Sequence, residues 1–202
     1  NWELVWSDDF DGDAGTLPDA GKWTYDIGTG NSGWGNQELE YYTKRTDNVK
    51  LDGNGNLVIT AKKENYGGSA FTSARLKTQG LFSHAYGKIE ARIKTPYGPG
   101  IWPAFWMLGD NVDTVGWPNS GEIDIMELKG HIPNVVYGTL HGPGYSGGAA
   151  ITKSYGLKDS RFDQDFHVFA VEWKENQIDF FVDGFLYQRV TPKDVTGEWA
   201  FN

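Results

Sequence analysis

The sequence predicts an all-β fold, an antiparallel sandwich or jelly roll, on three observations. Apolar residues recur with period two, glycine-rich turns separate the segments, and no stretch sustains a 3.6-residue repeat. With 202 residues the chain is long enough for one domain with a large core, and neither an internal repeat nor a linker divides it.

The strands follow in order. Residues 56–61 carry Leu57, Val58 and Ile59 directly after Asp52-Gly53-Asn54-Gly55, a hairpin turn feeding a strand. Residues 88–94 alternate polar and apolar without error, as a half-buried strand does. Residues 102–108 and 135–141 read as strands that carry aromatic groups. Residues 166–173 form a further strand, turned by Glu175-Asn176, and residues 177–182 and 185–190 flank Asp183-Gly184, the strongest short hairpin signal in the chain. The loops 28–35 and 142–148, rich in glycine and aromatics, are expected at the rim of a binding cleft.

Composition narrows the function. A formal net charge of −9 argues against nucleic-acid and anionic-membrane surfaces and suits a neutral substrate. Aromatic residues make up 15% of the chain, more than a core alone demands, so some are expected in ligand contacts. The absence of cysteine excludes disulfides and thiolate metal sites, and the four histidines show no metal-ligand spacing. No apolar run reaches the ~20 residues of a membrane span. No charged-then-apolar leader opens the chain. The expectation is a secreted protein, and its signal has in that case been removed.

The chemistry concentrates in Gly121-Glu122-Ile123-Asp124-Ile125-Met126-Glu127-Leu128. Carboxylates are rarely buried without a partner or a task. On a regular strand Glu122 and Asp124 share one face, while Glu127, five residues from Glu122, falls on the other. A β-bulge near Ile125-Met126 restores the phase: Ile123, Ile125 and Leu128 point inward and all three acids line the outer face. Two carboxyls held close together serve retaining glycoside hydrolysis, one as nucleophile and one as acid. Mutual repulsion keeps one of them protonated for leaving-group donation. A Ca²⁺ site and an acidic guard on an edge strand are the alternatives.

Around the acids, Trp102, Ala104 and Trp106 share a strand face on which indoles can stack against sugar rings, and Trp117 adds a platform in the loop before Gly121. His141, at the end of the run 135–141, is placed to hydrogen-bond a carboxylate or a sugar hydroxyl.

These residues resemble glycoside hydrolase family 16, and within it the bacterial endo-β-1,3-glucanases or laminarinases. Glu122, Asp124 and Glu127 match its bulged E-x-D-x-x-E motif; residues 102–108 (WPAFWML), 36–43 (NQELEYYT) and 5–10 (VWSDDF) are similar to the family too, and the likeness runs from residue 2 to the last. The resemblance implies a β-jelly roll with a concave substrate groove. It makes Glu122 the nucleophile, Glu127 the acid/base and Asp124 the assisting carboxylate. It also implies β-glucan contacts from Asn36, Arg75, Trp102, Trp106, Trp117 and His141, no cofactor for catalysis, and a structural Ca²⁺ with Asp9 and Gly53 among its ligands. The family continues past Asn202 into further strands that hold the third calcium ligand, so the C-terminal strands are expected to be missing from this chain. Trp199 and Phe201 then lack a strand to bury them, and a second chain, or a longer native one, is expected to complete the fold. The rival readings are a non-catalytic β-glucan-binding lectin on the same fold and a same-family hydrolase of mixed-linkage β-1,3-1,4-glucan. Intact Glu122 and Glu127 favour the enzyme over the lectin.

Overall fold

The computed structural model describes residues 2–202 and falls into two compact units, one of residues 3–84 and one of residues 85–202 together with Trp2. In the first unit β1 (Thr24–Asp26) pairs with β7 (Arg75–Lys77). β2 (Glu40–Tyr42) runs parallel to β6 (Ser69–Ser73), which is antiparallel to β5 (Lys62–Tyr66). β3 (Val49–Leu51) and β4 (Leu57–Ile59) form the predicted hairpin. Its turn is closed by Asp52, whose Oδ1 accepts the N–H groups of Asn54 at 2.7 Å and Asn56 at 3.1 Å. Beneath it Asn48 is fully buried and satisfied, donating to the Thr60 carbonyl and the Thr72 hydroxyl and accepting from Thr43 and Arg45.

The second unit is an antiparallel two-sheet sandwich. Its strands are β8 (Gly87–Ile93), β9 (Ala104–Leu108), β10 (Glu122–Leu128), β11 (Val135–His141), β12 (Ile151–Gly156), β13 (His167–Lys174), β14 (Gln177–Val182) and β15 (Phe185–Val190). One sheet has the order β12-β11-β10-β9 and the other β15-β14-β13-β8. One core cluster joins them: Ile123, Ile125, Met126, Leu128, Val136 and Leu140 from the first sheet with Phe169, Val171, Ile178, Phe180 and Val190 from the second. Each fully buried side chain of this size contributes roughly 1.5–3 kcal/mol. The Asp183-Gly184 turn takes positive φ at both residues, as the predicted hairpin demands, and Asp183 also accepts the Val168 N–H. A bulge between Phe180 and Phe181 is an irregularity the alternation did not announce. Among the described residues, helical structure is limited to α1 (Val112–Val115) and short turns, and no helix is long and apolar enough to cross a membrane.

Two expectations need correction. The strand expected over 102–108 begins at Ala104, leaving Trp102 in the segment leading into it. The C-terminal aromatics do find cover within this chain. Phe201 is buried in the sandwich core, its carbonyl accepts the Trp173 indole N–H at 2.8 Å, and Trp199 packs edge-on against its ring. Trp199 in turn donates to the Glu175 carbonyl, and Tyr145 donates to that of Glu198. The segment after residue 195 runs as irregular chain, which buries Phe201 and leaves Trp199 half-buried.

Candidate active site

β10 carries the site, and its register contains the predicted bulge. Asp124 stands opposite Thr139 of β11 and Trp106 of β9; Glu127 stands opposite Tyr137 and Ala104. Three steps along β10 therefore match two steps on each neighbour. The extra residue lies in Ile125-Met126, and both of these side chains enter the core, each 1% exposed. Neither flank of β10 can slip without dragging one of them into water, which pins the register. Glu122, Asp124 and Glu127 consequently share the outer face with Trp106, Tyr137, Thr139 and His141.

Two glycines allow this packing. Gly121, at φ +72°, turns the chain into β10, and a Cβ there would lie 3.0 Å from the Ala200 carbonyl oxygen. On the core side of β11 a Cβ on Gly138 would lie 2.4 Å from the Tyr187 hydroxyl.

Each glutamate receives one indole N–H. Trp117 donates to Glu122 Oε2 at 2.6 Å and Trp102 donates to Glu127 Oε2 at 2.9 Å. Both indoles are about half exposed, at 49% and 50%. His141 Nε2 lies 3.1 Å from Asp124 Oδ2 and 3.9 Å from Glu122 Oε1. The ring's other nitrogen, Nδ1, accepts the Gly147 backbone N–H at 3.1 Å, so in the neutral ring the proton resides on Nε2 and points at the acids. Trp117 lies beside the His141 ring at 5.7 Å between centroids.

Burial is the main force on the acids. It raises the pKa of Glu122, and the charge of Asp124 beside it raises it further, against the pull of His141 and Trp117. Asp124, with a side chain only 4% exposed, is raised by burial and by the charge of Glu127, against its hydrogen bond with Glu122. Glu127 is raised by burial and by Glu122, against the Trp102 donor. Two buried carboxyls in contact cannot both ionise cheaply, so Glu122 and Asp124 hold one proton between them.

Glu122, Asp124 and His141 also offer three ligand atoms within 4.8 Å of one another, a cluster the sequence spacing did not reveal. A metal on His141 Nε2 would need that nitrogen's lone pair and would move the proton to Nδ1, against the Gly147 N–H. The cluster is thus built to share protons rather than to bind a cation.

The other predicted contacts, Asn36 and Arg75, belong to the first unit. Arg75 stacks on the Trp34 ring at 4.2 Å and donates to Asp26 at 2.7 Å; Asn36, exposed, donates to Glu38 at 2.8 Å. For calcium, the turn carrying Gly53 closes on the segment of Asp9: a Cβ on Gly55 would lie 3.5 Å from the Asp9 carbonyl oxygen. These are oxygen donors of the kind Ca²⁺ selects, though two residues supply fewer than the six to eight it takes.

Sequence reasoning placed the acids and the bulge but missed two features. Trp102 and Trp117, expected as sugar platforms, also bring their N–H groups to the acids. Gly147 was assigned only to a rim loop, whereas its N–H orients His141. The alternation of 135–141 did carry the signal that Tyr137, Thr139 and His141 share one face.

Comparison with known proteins agrees with this geometry. The catalytic domain of the laminarinase of Thermotoga maritima superposes with a TM-score of 0.92 at 47% identity, covering 100% of this chain and 83% of that one. The beta-glucanase of Rhodothermus marinus is 46% identical over 200 residues, which are 97% of this chain and 68% of that protein. The glucan endo-1,3-beta-glucosidase A1 of Niallia circulans is 35% identical over 206 residues, and this chain spans 29% of its length. The predominantly β architecture is the jelly roll of these laminarinase structures. The model describing glycosyl hydrolases family 16 matches residues 36–202, most of the chain, and to that family this chain belongs.

Proposed function

We propose that this chain is an endo-acting glycoside hydrolase of β-1,3-glucan that works by double displacement. The observation that carries the proposal is the bulged β10, which sets Glu122, Asp124 and Glu127 on one face with an indole N–H on each glutamate. The named activities of the Thermotoga, Rhodothermus and Niallia relatives support the choice of glucan.

Glu127, whose neutral form its burial favours, donates its proton to the glycosidic oxygen while the Glu122 carboxylate attacks the anomeric carbon. The bond to the leaving sugar breaks and a glycosyl ester of Glu122 forms. At rest the proton shared by the Glu122–Asp124 pair is on Glu122, raised to about 8 against about 7 for Asp124; for attack it passes to Asp124, which leaves Glu122 anionic and accepting from Trp117. Once Glu122 is esterified its charge is gone, and Glu127, now ionised, takes a proton from water as that water attacks the same carbon. The ester breaks and Glu122 is restored. His141 holds Asp124 through its Nε2 proton.

The test is release of reducing ends from laminarin by the wild type and by Glu122→Gln. The wild type should hydrolyse, and the variant should bind glucan without turning it over; substantial hydrolysis by the variant would overturn the assignment of the nucleophile. Secretion accords with a polymeric substrate that cells do not take up. A structural Ca²⁺ at Asp9 and Gly53 belongs to the same proposal: chelation should lower the Tm and added Ca²⁺ should restore it.

A further inference from the structure

We infer that Trp117 and Trp102 set the protonation of the two glutamates through their indole N–H groups, as positioning residues in addition to being sugar platforms; the inference deepens the proposed function and rests on it for its kinetic consequence.

The geometry is paired. Trp117 reaches Glu122 from the loop before β10, and Trp102 reaches Glu127 from the segment before β9. In each case the N–H edge meets the acid while about half the indole stays open to solvent, so one side chain presents an edge to the carboxylate and a face to a ligand. An N–H donor stabilises the carboxylate more than the neutral acid, so each indole draws its glutamate toward ionisation against the burial that opposes it. The stabilisation falls where the mechanism needs it: on Glu122 as it attacks, and on Glu127 after it has given up its proton. With Oε2 of Glu127 engaged by Trp102, the transferable proton is carried by Oε1.

Of the other groups facing these acids, His141 and, for Glu127, Lys129 pull the same way by charge, and the indoles add a direct hydrogen bond to that pull. Glu122 is faced by Asp124 on its own strand, by His141 across on β11 and by Glu127 farther along; on β9 it meets Leu108, which carries no charge. Glu127 is faced by Lys129, His141 and Glu122, with Tyr137 and Ala104 opposite it on β11 and β9. Removing either N–H therefore leaves its glutamate with less to oppose desolvation. A sugar stacked on the indole face excludes water from the N–H···O contact and strengthens it, which couples ligand binding to the charge state of the acids.

Trp→Phe keeps an aromatic face and deletes the donor. Side-chain carboxyl carbons of Glu122 and Glu127 are titrated by ¹³C NMR in the ligand-free full chain, as wild type, Trp117→Phe and Trp102→Phe. The apparent pKa of Glu122 should rise by about one unit in Trp117→Phe, and that of Glu127 by a similar amount in Trp102→Phe. The same spectra report whether each variant is folded. In laminarin hydrolysis the acid limb of kcat/KM should move up in Trp117→Phe and the basic limb in Trp102→Phe. Unmoved carboxyl titrations in folded variants would overturn the inference and leave both indoles as platforms only. A wild type without glucanase activity would instead overturn the proposed function, while the titrations would still decide the role of the indoles.

Discussion

Asp124 and His141 show how much chemistry depends on the placement of single protons. The Gly147 N–H fixes the His141 tautomer, and that tautomer turns a donor toward a carboxyl too buried to ionise freely. Stability should record the same strain. Burial raises Glu122 from an ordinary 4.5 to about 8. A raised folded pKa means that its contribution to stability is fully present below about pH 4.5 and is lost as pH climbs through 8. Glu122→Gln cannot ionise, and its amide oxygen still accepts from Trp117. Urea unfolding should therefore find the variant gaining on the wild type between pH 4.5 and pH 9; a difference that stays flat with pH would contradict the burial account. At this scale the sequence was partly legible. Acid identity and parity announced the trio, whereas the indole donors and the Gly147 contact depend on side-chain directions that no spacing encodes.

Among the elements, the bulge in β10 has the sharpest consequences. Its existence was readable because three acids and four apolar residues cannot all be satisfied by a strict period of two. Deleting Met126 should remove the extra residue and leave Glu122, Asp124 and Glu127 in strict alternation, still on the outer face. Some hydrolysis should then survive, while the stability falls by about 2–5 kcal/mol because the buried Met126 side chain is lost from the core. A deletion variant that folds with Glu127 turned to the core face and cleaves no laminarin would contradict the register argument. On β11, Gly138→Ala would put a methyl 2.4 Å from the Tyr187 hydroxyl. A loss of about 1–3 kcal/mol in urea unfolding is expected; no loss would mean that the core at Gly138 has slack. Nothing in the alternation of 135–141 marked Gly138 as a packing position, because the obstacle comes from β15, distant in sequence.

For the molecule as a whole, the sandwich of residues 85–202 was legible in its strands and hairpins, since Asp183-Gly184 and the flanking alternation specify register locally. Its C-terminal cover was not. The residues after 195 follow no period, and only the fold shows Phe201 entering the core beneath the Trp173 indole. Phe201→Ala should cost about 3–5 kcal/mol in urea unfolding; a change below 1 kcal/mol would show that the segment merely lies on the surface. The net charge of −9 is consistent at this scale with a neutral polysaccharide partner. The central claim is that Glu122 and Glu127, brought to one face by the bulge, act as nucleophile and acid/base of a retaining hydrolase. Its most direct test is ¹H NMR of the first reducing ends released from laminarin, read before they mutarotate. Initial β-anomers are the predicted result, and initial α-anomers would contradict it.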